Sequence, residues 1–105
     1  MKLLKDLFTL EEKSDYSYVI SLANKSHPVF KAHFLGNEIL AGFLQIDIVS
    51  LLMCHKITLI KKAKFLEVIR PKDVLKFDIT SKDNIKYKVI IYKENKKMSE
   101  IIYEI

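Results

Sequence analysis

The sequence has few of the residues that mark disulfide-bonded, zinc-binding or membrane-spanning proteins. Cys54 is the only cysteine among the 105 residues, so neither an internal disulfide nor a cysteine-based zinc cluster can form, and the chain fits a reducing cytosol. The first 15 residues lack the apolar stretch and cleavage site of a signal peptide. The longest apolar run is interrupted by Gln45, Asp47 and Ser50 and is too short to span a bilayer. We therefore expect a cytoplasmic protein without membrane insertion.

Arginine is almost as rare as cysteine. The net charge is +5 with a pI near 9.3, yet Arg70 is the only arginine. Arginine is the usual residue for bidentate reading of bases and phosphates, so we expect no nucleic-acid partner. A lysine-rich surface suits a diffuse acidic partner, although a lysine-biased genome explains the same composition.

Two glycines and two prolines leave few places for a linker, and we expect one domain over residues 1–105. Half of the residues are hydrophobic, as in a folded domain. The core of so short a chain is small, so pairing with a second copy would complete its burial.

The first half of the chain predicts one strand, one loop and one helix. Residues 2–12 predict a short helix or an irregular lead-in. The aromatic and β-branched residues of 16–24 predict a strand, and Pro28, Gly36 and Asn37 make 26–38 a loop. Residues 42–56 are apolar nearly all the way round, which predicts a buried helix.

The second half predicts four strands at 57–68, 74–81, 85–93 and 97–104. The breaks at 70–73, 82–84 and 94–96 are short, so consecutive strands are expected to pair as an antiparallel meander. A sheet that wraps one apolar helix makes an α+β fold.

A possible acid–base pair lies in residues 33–47. Asp47 falls in the apolar helix, where an unpaired carboxylate either finds a partner or takes a proton. His33 lies in the preceding loop, and histidine moves protons near neutral pH. Gly42 stands where the helix begins, so its free backbone N–H could meet a developing negative charge. A structural histidine, and an aspartate that faces solvent or an oligomer interface, remain open alternatives.

Residues 28–47 resemble a known motif. The stretch PVFKAHFLGNEILAGFLQID is similar to the active-site motif of the β-hydroxyacyl-acyl carrier protein dehydratases, which have the hotdog fold. Residues 64–79, KFLEVIRPKDVLKFDI, resemble the family's downstream strand-turn-strand. The spacing of 14 between His33 and Asp47 matches the family. The short length and the Gln45-x-Asp47 ending look closer to the small aryl-polyene-type dehydratases than to the longer fatty-acid enzymes. The matching residues are Pro28, Phe30, His33, Phe34, Gly36, Gly42, Leu44, Asp47, Phe65, Pro71, Asp73 and Leu75.

The resemblance implies a dehydratase that acts on 3-hydroxyacyl thioesters of acyl carrier protein in fatty-acid or polyene-type biosynthesis. It assigns proton removal at the α-carbon to His33 and protonation of the leaving hydroxyl to Asp47 of the other subunit. The Gly42 N–H would bind the thioester carbonyl, and Phe34 and Phe43 would line the acyl chain. The resemblance implies a homodimer or an assembly of dimers, with neither cofactor nor metal.

The sequence departs from the family pattern at several places. Ala32 and Lys72 stand where the family has glycine, and Leu51 stands where a glutamine is common. Leu35, Glu38 and Ala41 stand where prolines are usual. An acyl-thioesterase on the same fold, and a non-catalytic homologue that binds acyl groups or acyl carrier protein, remain alternatives.

His27, Cys54 and His55 are weaker candidates. His27 precedes a proline and is expected at the surface. His55 lies near the predicted helix end, where a cation favours the helix dipole.

Overall fold

A computed structural model describes residues 4–31 and 38–105, without the side chain of Lys31. It contains six strands and two helices. The strands are β1 (Phe8–Lys13), β2 (Ser17–Leu22), β3 (Leu59–Phe65), β4 (Val74–Thr80), β5 (Lys86–Lys93) and β6 (Lys96–Glu104), and the helices are α1 (Pro28–Lys31) and α2 (Gly42–Met53).

The strands form one antiparallel sheet in the order β1-β2-β4-β5-β6-β3. Only β4, β5 and β6 form the expected meander. The first strand of the predicted four, β3, pairs with β6 rather than with β4, so the meander prediction was wrong for this strand. The chain from β3 to β4 therefore crosses from one edge of the sheet to its middle.

The sheet buries one face against α2. On β5 the buried side chains alternate with exposed lysines, as a sheet with one covered face requires. The strand side chains and α2 share a single apolar cluster, whose largest fully buried members include Tyr103, Phe77, Ile20, Ile48, Leu75, Ile91 and Ile101.

The hairpin turns follow from backbone conformations that few residues tolerate. Glu94 and Asn95 both have positive φ, of 49° and 65°, as a two-residue type I′ turn between β5 and β6 requires. At the turn between β4 and β5, the Asp83 carboxylate accepts the N–H groups of Ile85 and Lys86 at 2.9 Å. These bonds stabilise the anion and lower the pKa of Asp83, that from Lys86 most strongly.

The start of the chain and His27 differ from expectation. Residues 2–12 were predicted as a helix or irregular, but Phe8–Lys13 is an edge strand that pairs with β2 around an irregularity between Leu10 and Glu12. His27 is buried rather than at the surface. Its Nδ1 accepts the Val29 N–H at 3.1 Å, which leaves Nε2–H to donate to the Lys5 carbonyl at 2.7 Å.

Candidate active site

Helix α2 begins at Gly42 without a side-chain cap. Ala41 precedes it in an extended conformation, with φ −61° and ψ 149°, and its carbonyl accepts the N–H groups of Leu44 and Gln45. Within residues 4–31 and 38–105, the N–H groups of Gly42 and Phe43 meet no acceptor. Since the first N–H groups of a helix carry its positive dipole end, this terminus can bind an oxyanion or a polarised carbonyl.

Phe65 covers the start of this helix. A Cβ atom at Gly42 would lie 2.5–2.8 Å from three carbons of the Phe65 ring, closer than van der Waals contact allows. Glycine at residue 42 therefore lets the Phe65 ring of β3 lie directly against the start of α2. This contact joins the upstream sequence motif to the downstream one.

Asp47 lies on the side of α2 that faces away from the sheet. Its side chain is half-buried and lines a cleft of about 490 Å³ together with Leu4, Ser50, Leu51, Cys54, His55 and Lys56. Among the described residues the carboxylate has no ion pair or hydrogen-bond partner. In one chain Asp47 is therefore open to a substrate or to a second subunit, rather than enclosed in the core.

The prediction of a helix buried on all sides was wrong for a single chain. Leu44, Gln45, Ile48 and Val49 are buried against the sheet. On the opposite side Phe43 is 59% exposed and Leu51 is 52% exposed. The helix ends at Met53 rather than at residue 56, because Cys54 takes the left-handed conformation, with φ 53°.

Two predicted site residues, His33 and Phe34, lie outside the described residues. Of the remaining three, Gly42 and Phe43 are adjacent at the start of α2, and Asp47 follows slightly more than one helical turn later. The structure therefore places the predicted oxyanion donor, one predicted lining residue and the predicted acid on the same helix.

A buried polar link between helix and sheet is absent from the sequence prediction. Gln45 donates from Nε2 to the Leu40 carbonyl at 3.2 Å, and its Oε1 accepts the Ser99 hydroxyl at 2.6 Å. Both side chains are buried. The link fixes α2 against β6 two residues before Asp47 and so orients the carboxylate's segment of the helix. The glutamine was visible as a polar residue in an apolar run, but its partner is 54 residues away.

His55 shares the cleft with Asp47 and makes a second unforeseen link. Its Nδ1 lies 2.8 Å from the Tyr103 hydroxyl, and its ring packs on Tyr87 at 4.5 Å. Burial raises the pKa of Tyr103 and keeps the phenol protonated, and the histidine tautomer decides which of the two groups donates. Burial lowers the pKa of His55, which disfavours the cation that the helix dipole was expected to stabilise.

Within the described part of the chain, neither a metal-ligand group nor a membrane-spanning helix is found. Residues 4–31 and 38–105 contain no group of three or more His, Cys, Asp or Glu side chains placed to hold a metal ion. In the same residues no helix has the length and apolar character needed to cross a bilayer.

The six-stranded antiparallel sheet around one packed helix is a hotdog fold, and its helix carries Gly42 and Asp47 of the sequence motif. The sequence matches the family model of the ApeI-like proteins, described as ApeI dehydratase, over residues 10–101. The chain therefore belongs to the ApeI-like dehydratase family, which indicates a hydro-lyase.

Solved structures agree with the fold. A chain of the dehydratase heterocomplex ApeI:P from Xenorhabdus doucetiae superposes with a TM-score of 0.65 at 19% identity, covering 91% of this chain and 92% of that one. An uncharacterised protein from Erwinia carotovora subsp. atroseptica gives 0.59 at 19% identity, with 92% and 90% covered. The HP0420 homologue from Helicobacter felis gives 0.60 at 17% identity, with 96% and 88% covered. No curated protein sequence matches this chain.

Proposed function

We propose that the protein dehydrates 3-hydroxyacyl thioesters carried by an acyl carrier protein to trans-2-enoyl thioesters. The observation that carries the proposal is the unpaired Asp47 carboxylate in an open cleft, on a helix whose first N–H groups meet no acceptor among the described residues. Membership of the ApeI-like dehydratase family supports the reaction type.

The reaction divides between a base, an acid and an oxyanion site. His33 removes the proton from the α-carbon, and the electron pair of that C–H bond forms the new double bond between the α- and β-carbons. The β-carbon–oxygen bond breaks, and Asp47 gives its proton to the leaving hydroxyl, which departs as water. The Gly42 N–H binds the thioester oxygen as it gains negative charge. No step uses a cofactor.

A dimer supplies the two catalytic groups from different subunits in this proposal. Support comes from apolar side chains left open in one chain on the outer side of α2 and on the edge strand β3, which meet where Phe65 covers Gly42. Exposed apolar side chains gathered on one helix side and along a strand edge are typical of a protein–protein interface. The exposed members are Phe43, Leu51, Leu59, Ile60 and Phe65.

The acyl chain would lie along the same apolar surface. Phe43 is at the start of α2 next to Gly42, so a thioester held by the Gly42 N–H brings the acyl carbons beside its ring. Phe34 is the second lining residue in this proposal. The excess of lysine favours an acidic carrier protein as the partner that delivers the thioester.

Turnover of 3-hydroxyacyl thioesters of graded chain length tests the function. We expect wild-type protein to form the enoyl thioester, and His33→Ala and Asp47→Asn each to lower kcat by at least about 100-fold, the usual contribution of a general acid or base. Asp78→Asn, an exposed-face change on β4, is the matched control and should keep full activity.

Two other outcomes would reject the proposal. Release of free thiol without enoyl product would identify a thioesterase. Tight binding of the thioester with no turnover at any chain length would identify a non-catalytic acyl-binding protein.

A further inference from the structure

We propose that a basic cleft formed by residues 24–26, 38 and 70–72 binds the phosphate through which the thioester arm is attached to its carrier protein. This inference rests on the proposed function, since it assigns a second contact to the same substrate. The cleft measures about 620 Å³ and is lined by Asn24, Lys25, Ser26, Glu38, Arg70, Pro71 and Lys72.

The charges of the cleft favour an anion. Lys25, Arg70 and Lys72 contribute three positive charges, against one negative charge from Glu38. Asp73, the next residue along the chain, is already bound to the Lys93 ammonium at 2.8 Å. A guanidinium and ammonium groups around one concave surface are the usual donors to phosphate oxygens.

A polar side chain adds a donor to this set. Asn24 uses its Oδ1 to accept the N–H and the hydroxyl of Ser26. Its amide NH₂ group has no acceptor among the described residues, so it is available to a phosphate oxygen in the cleft.

Backbone hydrogen bonds hold the three segments of the cleft in place. The Lys72 N–H donates to the Ala23 carbonyl at 2.9 Å, and the Leu40 N–H donates to the Ile69 carbonyl at 2.8 Å. The Asp73 carboxylate accepts the Arg70 N–H at 2.8 Å. The backbone that carries the three cations is therefore held in place before an anion binds, which lowers the entropy lost on binding.

Lys72 is the least expected of the three cations. Its φ is 68°, in the left-handed region that glycine adopts without strain. The family motif has glycine at this position. The chain thus has a lysine at a position where the backbone conformation favours glycine. This lysine lines the cleft and adds a positive charge to it.

The position of the cleft suits the proposed substrate. Glu38 lines the cleft and lies four residues before Gly42, so the two are at most about 14 Å apart along an extended chain. A phosphate in the cleft would leave the thioester end of its arm free to reach the start of α2.

Three lysines of the sheet, Lys61, Lys62 and Lys97, are less suited to this role because carboxylates already bind them. Lys62 and Lys97 both contact Glu100, and Lys61 pairs with Glu104.

Three thioesters of the same 3-hydroxyacyl group separate the sources of recognition: the pantetheine thioester without phosphate, the phosphopantetheine thioester, and the carrier-protein thioester. For Lys25→Glu/Lys72→Glu we expect KM to rise about tenfold or more for the two phosphate-containing substrates. KM for the pantetheine thioester and kcat for all three should stay unchanged. The matched control is Lys82→Glu/Lys86→Glu, which makes the same charge change at the turn between β4 and β5 and should change no KM.

Equal KM changes for all three substrates would overturn the inference. A rise for the carrier thioester alone would also overturn it, since the cleft would then recognise the protein body of the carrier. If wild-type protein turns over none of the thioesters, the proposed function fails, and calorimetric binding of phosphopantetheine decides the role of the cleft. Tenfold weaker binding to the Lys25→Glu/Lys72→Glu variant supports the inference, and equal binding overturns it.

Discussion

Glu100 on β6 is a buried carboxylate held by two lysines. Lys62 Nζ lies 2.8 Å from it, and Lys97 contacts its other oxygen. These hydrogen bonds, that from Lys62 first, lower its pKa from 4.5 to about 2. A carboxylate with a depressed folded-state pKa stabilises the fold above its unfolded-state pKa, and this contribution disappears as the pH falls through the folded-state value.

We therefore predict that Glu100→Gln flattens the acid side of the stability profile. In wild-type protein the free energy of unfolding should fall between pH 4.5 and about 2 partly because Glu100 takes a proton. The variant has no proton to take, so its urea midpoint should depend less on pH in this range. Lys62→Met should have a similar effect, since it raises the pKa of Glu100. An unchanged slope in both variants would contradict the role of this cluster.

At the residue scale, the sequence predicted the residues whose type is unusual for their surroundings. Asp47 and Gly42 stood out in an apolar run, and the structure places both on α2 as expected. Gln45 stood out too, but its role depends on Ser99, which nothing near it in the chain indicates. His27 and His55 were misjudged for the same reason, because their partners Lys5 and Tyr103 come from distant elements.

The link between Gln45 and Ser99 joins helix α2 to the sheet, and we predict that it stabilises the fold measurably. Gln45→Leu leaves the Ser99 hydroxyl and the Leu40 carbonyl buried without a partner, which should lower the free energy of unfolding by about 1–3 kcal/mol. Adding Ser99→Ala removes one orphaned group, so the double variant should be more stable than the sum of the two single changes predicts. Urea denaturation of the four proteins measures this coupling, and strict additivity would contradict it.

At the scale of elements, local patterns predicted most strands but not their neighbours. The segments at β2, β4, β5 and β6 and the start of α2 match the predictions closely. The edge strand β1 was missed because its sequence, FTLEEK, is largely polar and charged and shows no clear strand pattern. Pairing with β2 determines its conformation. The position of β3 beside β6 was missed because the short break after β3 predicted pairing with β4, the next strand along the chain. In the structure β3 is the edge strand next to β6, where its Phe65 contacts Gly42 of α2.

At the scale of the whole molecule, the two sides of α2 have different roles. The covered face holds the helix on the sheet through Leu44, Ile48 and Val49. The uncovered face carries Asp47 among exposed apolar side chains. A second copy placed against this face would bury the apolar side chains and bring another subunit's residues to the carboxylate, which is the arrangement of the proposed site.

Complementation between two inactive variants tests this composite site most directly. His33→Ala and Asp47→Asn chains, co-expressed in equal amounts, should pair at random into about half mixed dimers, each with one intact site of two. We predict about a quarter of wild-type dehydration activity in the mixture and almost none in either variant alone. A chain with both changes, paired with Asp47→Asn, is the control and should remain inactive. Mixed dimers that form, as native mass spectrometry would show, but have no activity would contradict a site shared between subunits.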